Sequence, residues 1–213
     1  MVAGMSQLHL RGFHHLTAVT ADAPGNHAFY TRTLGLRLVK KTVNQDDVSA
    51  YHLFYADGLA SPGTDITFFD WPVGRERRGT HSVVRTGLRV ATEASLAWWA
   101  ERLSSRQVTN SGVIERDGRP TLDCEDPEGQ RLSLVVDSSP IPSHPWSKSP
   151  VPAEHQLRGL GPITLSVPDL KPTDVVLTKV MNLRRVREYA DNSGESARTV
   201  QVYQMGADGP QAE

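Results

Sequence analysis

The sequence is almost without cysteine: Cys124 is the single thiol in 213 residues. One cysteine cannot close an internal disulfide, which agrees with a reducing compartment, so we expect a cytoplasmic protein. Cys124 falls in a predicted strand over residues 121–125. A lone cysteine in a strand is more often a small core hydrophobe than a nucleophile. We therefore interpret Cys124 as a core residue.

Long apolar runs and an excess of one charge are also missing. No run approaches the ~20 apolar residues of a membrane-spanning helix, and residues 1–10 lack the charged start and apolar stretch of a signal peptide. The 23 Lys and Arg residues balance 24 Asp and Glu residues, which gives a net charge of -1. So small a charge creates no field that gathers phosphate backbones or anionic lipid. We expect neither nucleic acid nor a membrane as a partner.

The sequence does contain a repeated order of elements: one strand, one helix and three strands. The first copy is predicted as a strand over 12–20, a helix over 23–34 that ends at Gly35, and strands over 36–43, 50–56 and 65–69. The second copy is predicted as a strand over 83–90, a helix over 93–103 capped by Thr92, and strands over 113–115, 119–124 and 131–136.

A proline-rich stretch over 140–152 interrupts the repeat and is typical of a linker or wrapping segment. A third copy follows from Gly159, with a strand over 163–167, a helix over 173–181, and strands over 184–189 and 197–203. A glycine-rich turn at 206–210 leads into no further strand, so we expect this copy to be incomplete.

These patterns predict an α+β fold of tandem βαβββ modules, with mixed sheets and helices on one face. The predicted divisions are a first module over 10–72, a second over 81–137, a linker over 138–158 and an incomplete third module over 159–213.

A histidine pair opens the first predicted strand. The period of two residues places Phe13, His15, Thr17 and Val19 on one face and His14 on the other. An imidazole on the concave side of a curved sheet can ligate a divalent metal, and a neighbouring hydroxyl can orient it or a bound substrate. The plainer alternative is a solvated or hydrogen-bonded structural pair.

Modules that open on a strand such as His14-His15-Leu16-Thr17 resemble the vicinal oxygen chelate superfamily, which includes glyoxalase I, extradiol dioxygenases and bleomycin-resistance proteins. The sequence is most similar to the hydroquinone-type ring-cleaving dioxygenases. The stretches that carry this resemblance are residues 12–17, 29–44, 51–57 and 61–64, Trp98-Trp99, and 155–159.

The resemblance implies Fe(II), or Mn(II) in some members, held by two histidines and a glutamate with open positions for substrate and dioxygen. Carried over, it implies that His15 is a metal ligand, with Thr17 and His14 beside it to orient the ligand or the substrate. It also implies that the other two ligands come from a fourth module. We therefore expect this chain to be an incomplete form of such an enzyme.

Other histidines are weaker candidates. His52 is interpreted as a hydrogen-bonded strand residue, His81 and His144 fall in predicted loops, and Glu154 and His155 are interpreted as linker residues.

The resemblance implies an iron-dependent dioxygenase that acts on a small dihydroxylated aromatic substrate with dioxygen. Two alternatives stay open: a glyoxalase-type metal-dependent lyase or isomerase, and a metal-free module of the same fold that binds a small molecule. A homo-oligomer that pairs two first modules is a further expectation, since it would cover their concave faces.

Overall fold

The computed structural model describes residues 10–75, 77–191, 197–206 and 209–213. Within these ranges eleven strands and three α-helices form. The strands are β1 His15–Thr20, β2 Arg37–Val43, β3 Tyr51–Ala56, β4 Asp65–Asp70, β5 Ser82–Val90, β6 Asn110–Arg116, β7 Arg119–Glu125, β8 Arg131–Val136, β9 Leu160–Ser166, β10 Arg184–Asp191 and β11 Arg198–Gln204. The helices are α1 Ala23–Ala28, α2 Glu93–Ser105 and α3 Leu170–Val175.

The first two repeats build sheets of the same topology. The first sheet has the order β1-β4-β3-β2, and the second contains the matching order β5-β8-β7-β6. In each sheet the opening strand lies parallel to the last strand of its repeat, and the other neighbours are antiparallel. The predicted α+β class with mixed sheets is therefore confirmed.

The third repeat does not form a four-stranded sheet of its own in the described residues. Its opening strand, β9, joins the second sheet antiparallel to β5, and β10 and β11 form a separate antiparallel pair. The element order is the predicted one. The module boundaries drawn from the sequence stay a prediction.

Two predicted helices differ in detail from the structure. The single helix expected over 23–34 is a short α-helix, α1, followed by a π-turn over Phe29–Thr33, in which the Leu34 amide donates to the Phe29 carbonyl at 3.0 Å. The wider turn buries two consecutive aromatic residues, Phe29 and Tyr30. The third repeat has the same arrangement, with a π-turn over Val176–Val180 after α3.

The helix α2 follows the sequence prediction closely. The Thr92 hydroxyl accepts a hydrogen bond from the Ser95 amide, which satisfies a free donor at the start of the helix. At 13 residues α2 is the longest helix. No helix in the described ranges has the length and apolar character that crossing a bilayer requires.

The first two repeats bury one continuous hydrophobic cluster between them. Tyr30 lies at its centre, fully buried and stacked on Tyr55 with ring centroids 5.3 Å apart. Its hydroxyl donates to Asp126 Oδ2 of the second repeat at 3.2 Å. Cys124 is 4% exposed, and burial raises the pKa of its thiol to about 12. The predicted core role of Cys124 is confirmed.

Replacing Tyr30 by phenylalanine is expected to lower the free energy of unfolding by about 1–3 kcal/mol, because a buried acceptor would lose its donor. Burial already raises the pKa of Asp126 above its ordinary value, and the hydrogen bond from Tyr30 acts against this rise. Removing that bond would therefore leave the buried carboxylate less stable. Urea denaturation measures the change. Tyr51→Phe is the matched control at a tyrosine 44% exposed, where a change within about 0.5 kcal/mol is expected. Equal losses in the two variants would contradict the role given to the Tyr30–Asp126 bond.

The predicted linker over 138–158, which contains the proline-rich stretch, packs against both repeats. The Gly58 amide donates to the His144 carbonyl at 2.7 Å, and the Ser149 hydroxyl donates to the Gly35 carbonyl at 2.7 Å. The indole Nε1 of Trp99 donates to the His155 carbonyl at 2.8 Å. This stretch is therefore a wrapping segment, one of the two roles that its sequence allows.

A buried ion pair anchors the end of this segment to the second sheet. Arg89 Nη1 lies 2.7 Å from Asp137 Oδ2, and the two side chains are 5% and 2% exposed. The same guanidinium donates to the carbonyls of Leu160 and Arg158, each at 2.7 Å. Arg89 thus joins β5, the residue after β8 and the start of β9.

Candidate functional site

The first strand places its side chains alternately on the two faces of the first sheet. Leu16 and Ala18 pack against the core, while His15 and Thr17 are exposed on the opposite face, which we call the open face. The predicted common direction of His15 and Thr17 is confirmed. Phe13 was expected on the same face, and this is wrong. Phe13 packs against the core, because β1 begins only at His15 and strand alternation does not extend back to it.

The two opening histidines contact each other through their rings. His14 Nδ1 and His15 Nδ1 lie 3.0 Å apart, with the ring planes at 87°. The pair is therefore hydrogen-bonded, as in the plainer alternative that the sequence allows. The contact joins the two Nδ1 atoms, and which ring donates depends on the tautomer. Nε2 of His15 makes no hydrogen bond among the described residues, and it offers a lone pair to a ligand in the tautomer whose proton is on Nδ1. When Nδ1–H of a histidine donates to a neighbour, the Nε2 lone pair is oriented for metal binding.

A carboxylate lies next to His15 on the neighbouring strand. Asp65 is paired with His15 across the parallel β1–β4 ladder. Its Oδ1 is buried and has no hydrogen-bond partner among the described residues. Burial raises the pKa of Asp65 above its ordinary value, while His15 and His14 act in the opposite direction. Asp65 was missed by the sequence analysis, because only the register of two strands fifty positions apart brings it beside His15.

A chain of three hydrogen-bonding side chains crosses the open face from β1 to β3. The Thr67 hydroxyl donates to Thr17 Oγ1 at 2.9 Å. His52 Nε2 lies 3.0 Å from Thr67 Oγ1. Thr67 is fully buried, His52 is partly buried and Thr17 is exposed. The interpretation of His52 as a hydrogen-bonded strand residue is confirmed.

Aromatic rings hold His52 in place. Its ring centroid lies 4.0 Å from that of Phe54 and 4.0 Å from that of Phe69. Phe69 is in turn stacked on Trp71 at 5.0 Å. Burial, together with the nearby charges of His15 and Lys40, lowers the pKa of His52. The open face therefore carries a rigid aromatic row beside its polar chain.

The described residues do not complete a metal site. No group of three or more His, Cys, Asp or Glu side chains within the described ranges is arranged to hold an ion. His15 offers one nitrogen donor and Asp65 an adjacent carboxylate. A metal of the kind implied by the resemblance needs three protein ligands, so this face provides one side of such a site and not a full set.

The matching face of the second repeat carries an ion-pair cluster instead. Arg85 is the positional counterpart of His15, since each lies eight residues before the first residue of the following helix. Arg85 Nη2 is 3.4 Å from Asp123 Oδ2, and Arg116 Nη2 is 2.6 Å from the same oxygen. The Ser133 hydroxyl also donates to Asp123. In these contacts Arg85, Arg116 and Ser133 all engage the Asp123 carboxylate.

His81 and His155 lie in places that agree with the loop and linker positions predicted for them. His81 is exposed in a left-handed conformation just before β5. His155 stacks on Trp98 with ring centroids 4.7 Å apart, and its Nδ1 lies 3.1 Å from Ser95 Oγ. The same hydroxyl donates to the carbonyl of the neighbouring Glu154 at 3.2 Å. Both residues belong to the wrapping segment, as predicted.

A serine, a histidine and an aspartate meet near the wrapping segment without forming a catalytic triad. Ser61 Oγ lies 3.1 Å from His144 Nδ1, and Asp57 Oδ2 lies 3.4 Å from the same nitrogen. A triad needs the serine and the carboxylate on different ring nitrogens. This cluster instead ties His144 to the turn before β4.

Comparison with known proteins assigns the chain to a family. Residues 12–134 match the model of the glyoxalase/bleomycin resistance protein/dioxygenase superfamily. The chain belongs to this superfamily. The match covers the first repeat and most of the second, ending within β8, and it includes the strand with His15 and Thr17.

Several superfamily members are similar over most of the chain. MhqA of Bacillus subtilis (strain 168), named as a candidate ring-cleaving dioxygenase, is 45% identical over 188 residues, which are 87% of this chain and 60% of that protein. The chlorohydroquinone/hydroquinone 1,2-dioxygenase of Sphingobium indicum is 33% identical over 208 residues, 91% of this chain and 63% of the relative. The chain thus spans about three-fifths of the length of these relatives.

Solved structures agree with the fold. The crystal structure of a candidate dioxygenase from Bacillus subtilis matches with a TM-score of 0.80 at 33% identity, over 92% of this chain and 60% of that one. Glyoxalase I from Zea mays matches with a TM-score of 0.65 at 15% identity, over 95% and 64%. The second likeness concerns the fold alone.

Proposed function

We propose that the protein carrying this chain is a metal-dependent ring-cleaving dioxygenase that acts on hydroquinone-like dihydroxylated aromatics with dioxygen. The observation that carries the proposal is the position of His15: it is exposed on the open face of β1, Asp65 lies beside it on β4, and its Nε2 makes no hydrogen bond among the described residues. The names of two similar superfamily members, which refer to ring cleavage and to hydroquinones, support the reaction and the substrate class.

In this proposal His15 Nε2 holds the metal, Fe(II) or alternatively Mn(II). His14 fixes the orientation of the His15 ring, and Thr17 lies two positions along the same face, where its hydroxyl can meet a bound substrate. The remaining ligands lie outside the set that the described residues supply. A cytoplasmic location is part of the same proposal and rests on the single, buried cysteine.

The proposal is tested on the polypeptide that the cell makes. An affinity tag placed before Met1 in the chromosomal gene allows purification of whatever chain contains these residues. After anaerobic loading with Fe(II), bound metal and oxygen uptake are measured with hydroquinone and chlorohydroquinone. We expect metal binding, one dioxygen consumed per ring, and heavy-oxygen label from dioxygen at both inserted positions of the product.

Two results would contradict the proposal in different ways. Conversion of a glutathione hemithioacetal without oxygen uptake would indicate the glyoxalase-type reaction. Binding of a hydroquinone with no metal and no turnover would indicate a small-molecule-binding module. The likeness to glyoxalase I is a likeness of fold at 15% identity, so it does not favour the first of these.

The isolated chain gives a separate expectation. Because its described residues do not form a three-ligand cluster, residues 1–213 purified alone are expected to bind Fe(II) weakly and to cleave hydroquinone slowly or not at all. Metal analysis after desalting and an oxygen electrode measure both. Stoichiometric iron with rapid oxygen uptake would contradict this and would point to ligands other than His15 and Asp65.

A further inference from the structure

The hydrogen-bond chain on the open face has a fixed direction. A threonine hydroxyl has one proton to give, and Thr67 donates its proton to Thr17 Oγ1. The contact between His52 Nε2 and Thr67 Oγ1 must then be a donation from the imidazole, because Thr67 has no second proton. Thr67 is fully buried, so water does not offer it another partner.

Counting protons in the same way also determines the role of the Thr17 hydroxyl. Thr17 Oγ1 accepts from Thr67 and therefore cannot return its own proton along the chain. No other acceptor contacts this hydroxyl among the described residues, and Thr17 is exposed on the open face. Its proton is left to point outward, on the strand and face that carry His15.

The surroundings of His52 keep the chain in one state. The ring contacts both Phe54 and Phe69 at centroid distances of 4.0 Å, so turning it to exchange its two nitrogens would disturb the aromatic row. Burial also lowers the pKa of His52, which favours a neutral ring with a single N–H. That N–H is used on Thr67.

We propose that His52 is a positioning residue that acts through Thr67 to make the Thr17 hydroxyl a donor toward an anionic oxygen of the bound aromatic substrate. This inference rests on the proposed function and adds what Thr17 recognises. The Thr17 hydroxyl donates to the oxygen of an ionised phenol and does not accept the proton of a neutral one. A donor with a prearranged direction favours the ionised form of a phenol, since a phenolate oxygen only accepts. His52 itself does not touch the substrate.

A first test is independent of activity. NMR of the 213-residue chain labelled at its histidine ring nitrogens reports which nitrogen of His52 carries the proton at neutral pH. We expect the Nε2–H form, with a slowly exchanging proton that exchanges faster in Thr67→Val. A proton on Nδ1 of His52 would overturn the proposed direction of the chain, whatever the enzyme does.

A second test uses the native polypeptide and hydroquinone. Thr17→Val, Thr67→Val and His52→Phe are each expected to lower kcat/KM by about 10- to 100-fold, the usual effect of losing a hydrogen bond to a charged acceptor. His52→Gln retains an amide donor and is expected to recover part of the activity that His52→Phe loses. Rescue of this kind distinguishes positioning from packing, because phenylalanine is the better match to the aromatic row.

Controls separate failure of this inference from failure of the proposed function. His81→Gln, at an exposed histidine just before β5 of the second sheet, should behave as the wild type. An active wild type with unchanged kcat/KM in His52→Phe and Thr67→Val would overturn the inference and leave the dioxygenase proposal standing. An inactive wild type would overturn the function, while the NMR result would still decide the direction of the hydrogen bonds. Melting temperatures close to that of the wild type are required of every variant that is compared, and Thr67→Ser replaces Thr67→Val as a donor-retaining check if the valine variant fails to fold.

Discussion

Replacing His15 by alanine is expected to remove the bound metal and to lower ring cleavage by more than about 100-fold in the native polypeptide. Loss of a residue that merely orients a metal ligand costs 10- to 100-fold in metal affinity or activity, and His15 is proposed as the ligand itself. The change should leave folding intact, because His15 is exposed and contributes nothing to the core. Metal content, oxygen uptake and thermal unfolding are measured on the same preparation.

Two further substitutions calibrate this result. His14→Ala removes the hydrogen bond to His15 Nδ1 and is expected to give a smaller loss, about 10- to 100-fold. His81→Ala, at an exposed histidine before β5, is expected to have the metal content and rate of the wild type. If His15→Ala retains its metal, or if His81→Ala loses it, the assignment of His15 fails.

Replacing Arg89 by methionine is expected to lower the free energy of unfolding by about 3–5 kcal/mol, because it leaves a buried carboxylate without its cation. Arg89 and Asp137 are nearly inaccessible to solvent, and the guanidinium also holds two carbonyls beside β9. The double variant Arg89→Met, Asp137→Leu should regain part of the loss, since no buried charge remains. Urea denaturation at neutral pH measures each change.

The stability that the Arg89–Asp137 ion pair contributes should depend on pH. Burial would raise the pKa of Asp137, but hydrogen bonds from Arg89 and Ser139 outweigh it and hold that pKa below its ordinary value. A carboxyl with a lowered pKa in the folded state stabilises the fold above its unfolded pKa of about 3.9, and this contribution is lost as pH falls through the folded value. The wild type should therefore lose stability below about pH 4, and Arg89→Met should lose less over the same range.

An exposed ion pair provides the control for the Arg89 variant. Arg78 and Glu125 form an ion pair whose side chains are 49% and 36% exposed. Exposed pairs contribute about 0–1 kcal/mol, so Arg78→Met should change the free energy of unfolding little. A loss in Arg78→Met as large as that in Arg89→Met would mean that burial is not the cause.

The strands were predictable because the repeat marks each of them locally. Period-two alternation and turn residues placed β3, β4, β7 and β8 within one or two residues of their observed bounds. The π-turns were not predictable, because a run such as Phe29 to Thr33 has the same apolar spacing whether the turn is α or π. The pairing of β9 with β5 was not predictable either, because pairing between distant strands leaves no local signal in the sequence.

The candidate site shows the same division. The common face of His15 and Thr17 follows from spacing within a single strand. The neighbours that give these residues their chemistry, Asp65 on β4 and the Thr67–His52 pair, depend on registers between strands. A ligand can therefore be suspected from a sequence, whereas its partners require the sheet.

The pairing of β1 has a consequence for how the site can be completed. Its counterpart in the second repeat, β5, has a neighbour on each side, β8 and β9, whereas β1 is paired only with β4 in the part of the chain that the structure describes. The unpaired side of β1 is a row of main-chain donors and acceptors to which another strand can be added. Residues opposite one another in adjacent strands share a face, with side chains about 4.5–5.5 Å apart. A strand added there, from the same protein or from a second copy, would place every other side chain beside His15 and Thr17. The strand that pairs with this edge would therefore determine which further ligand side chains lie next to His15.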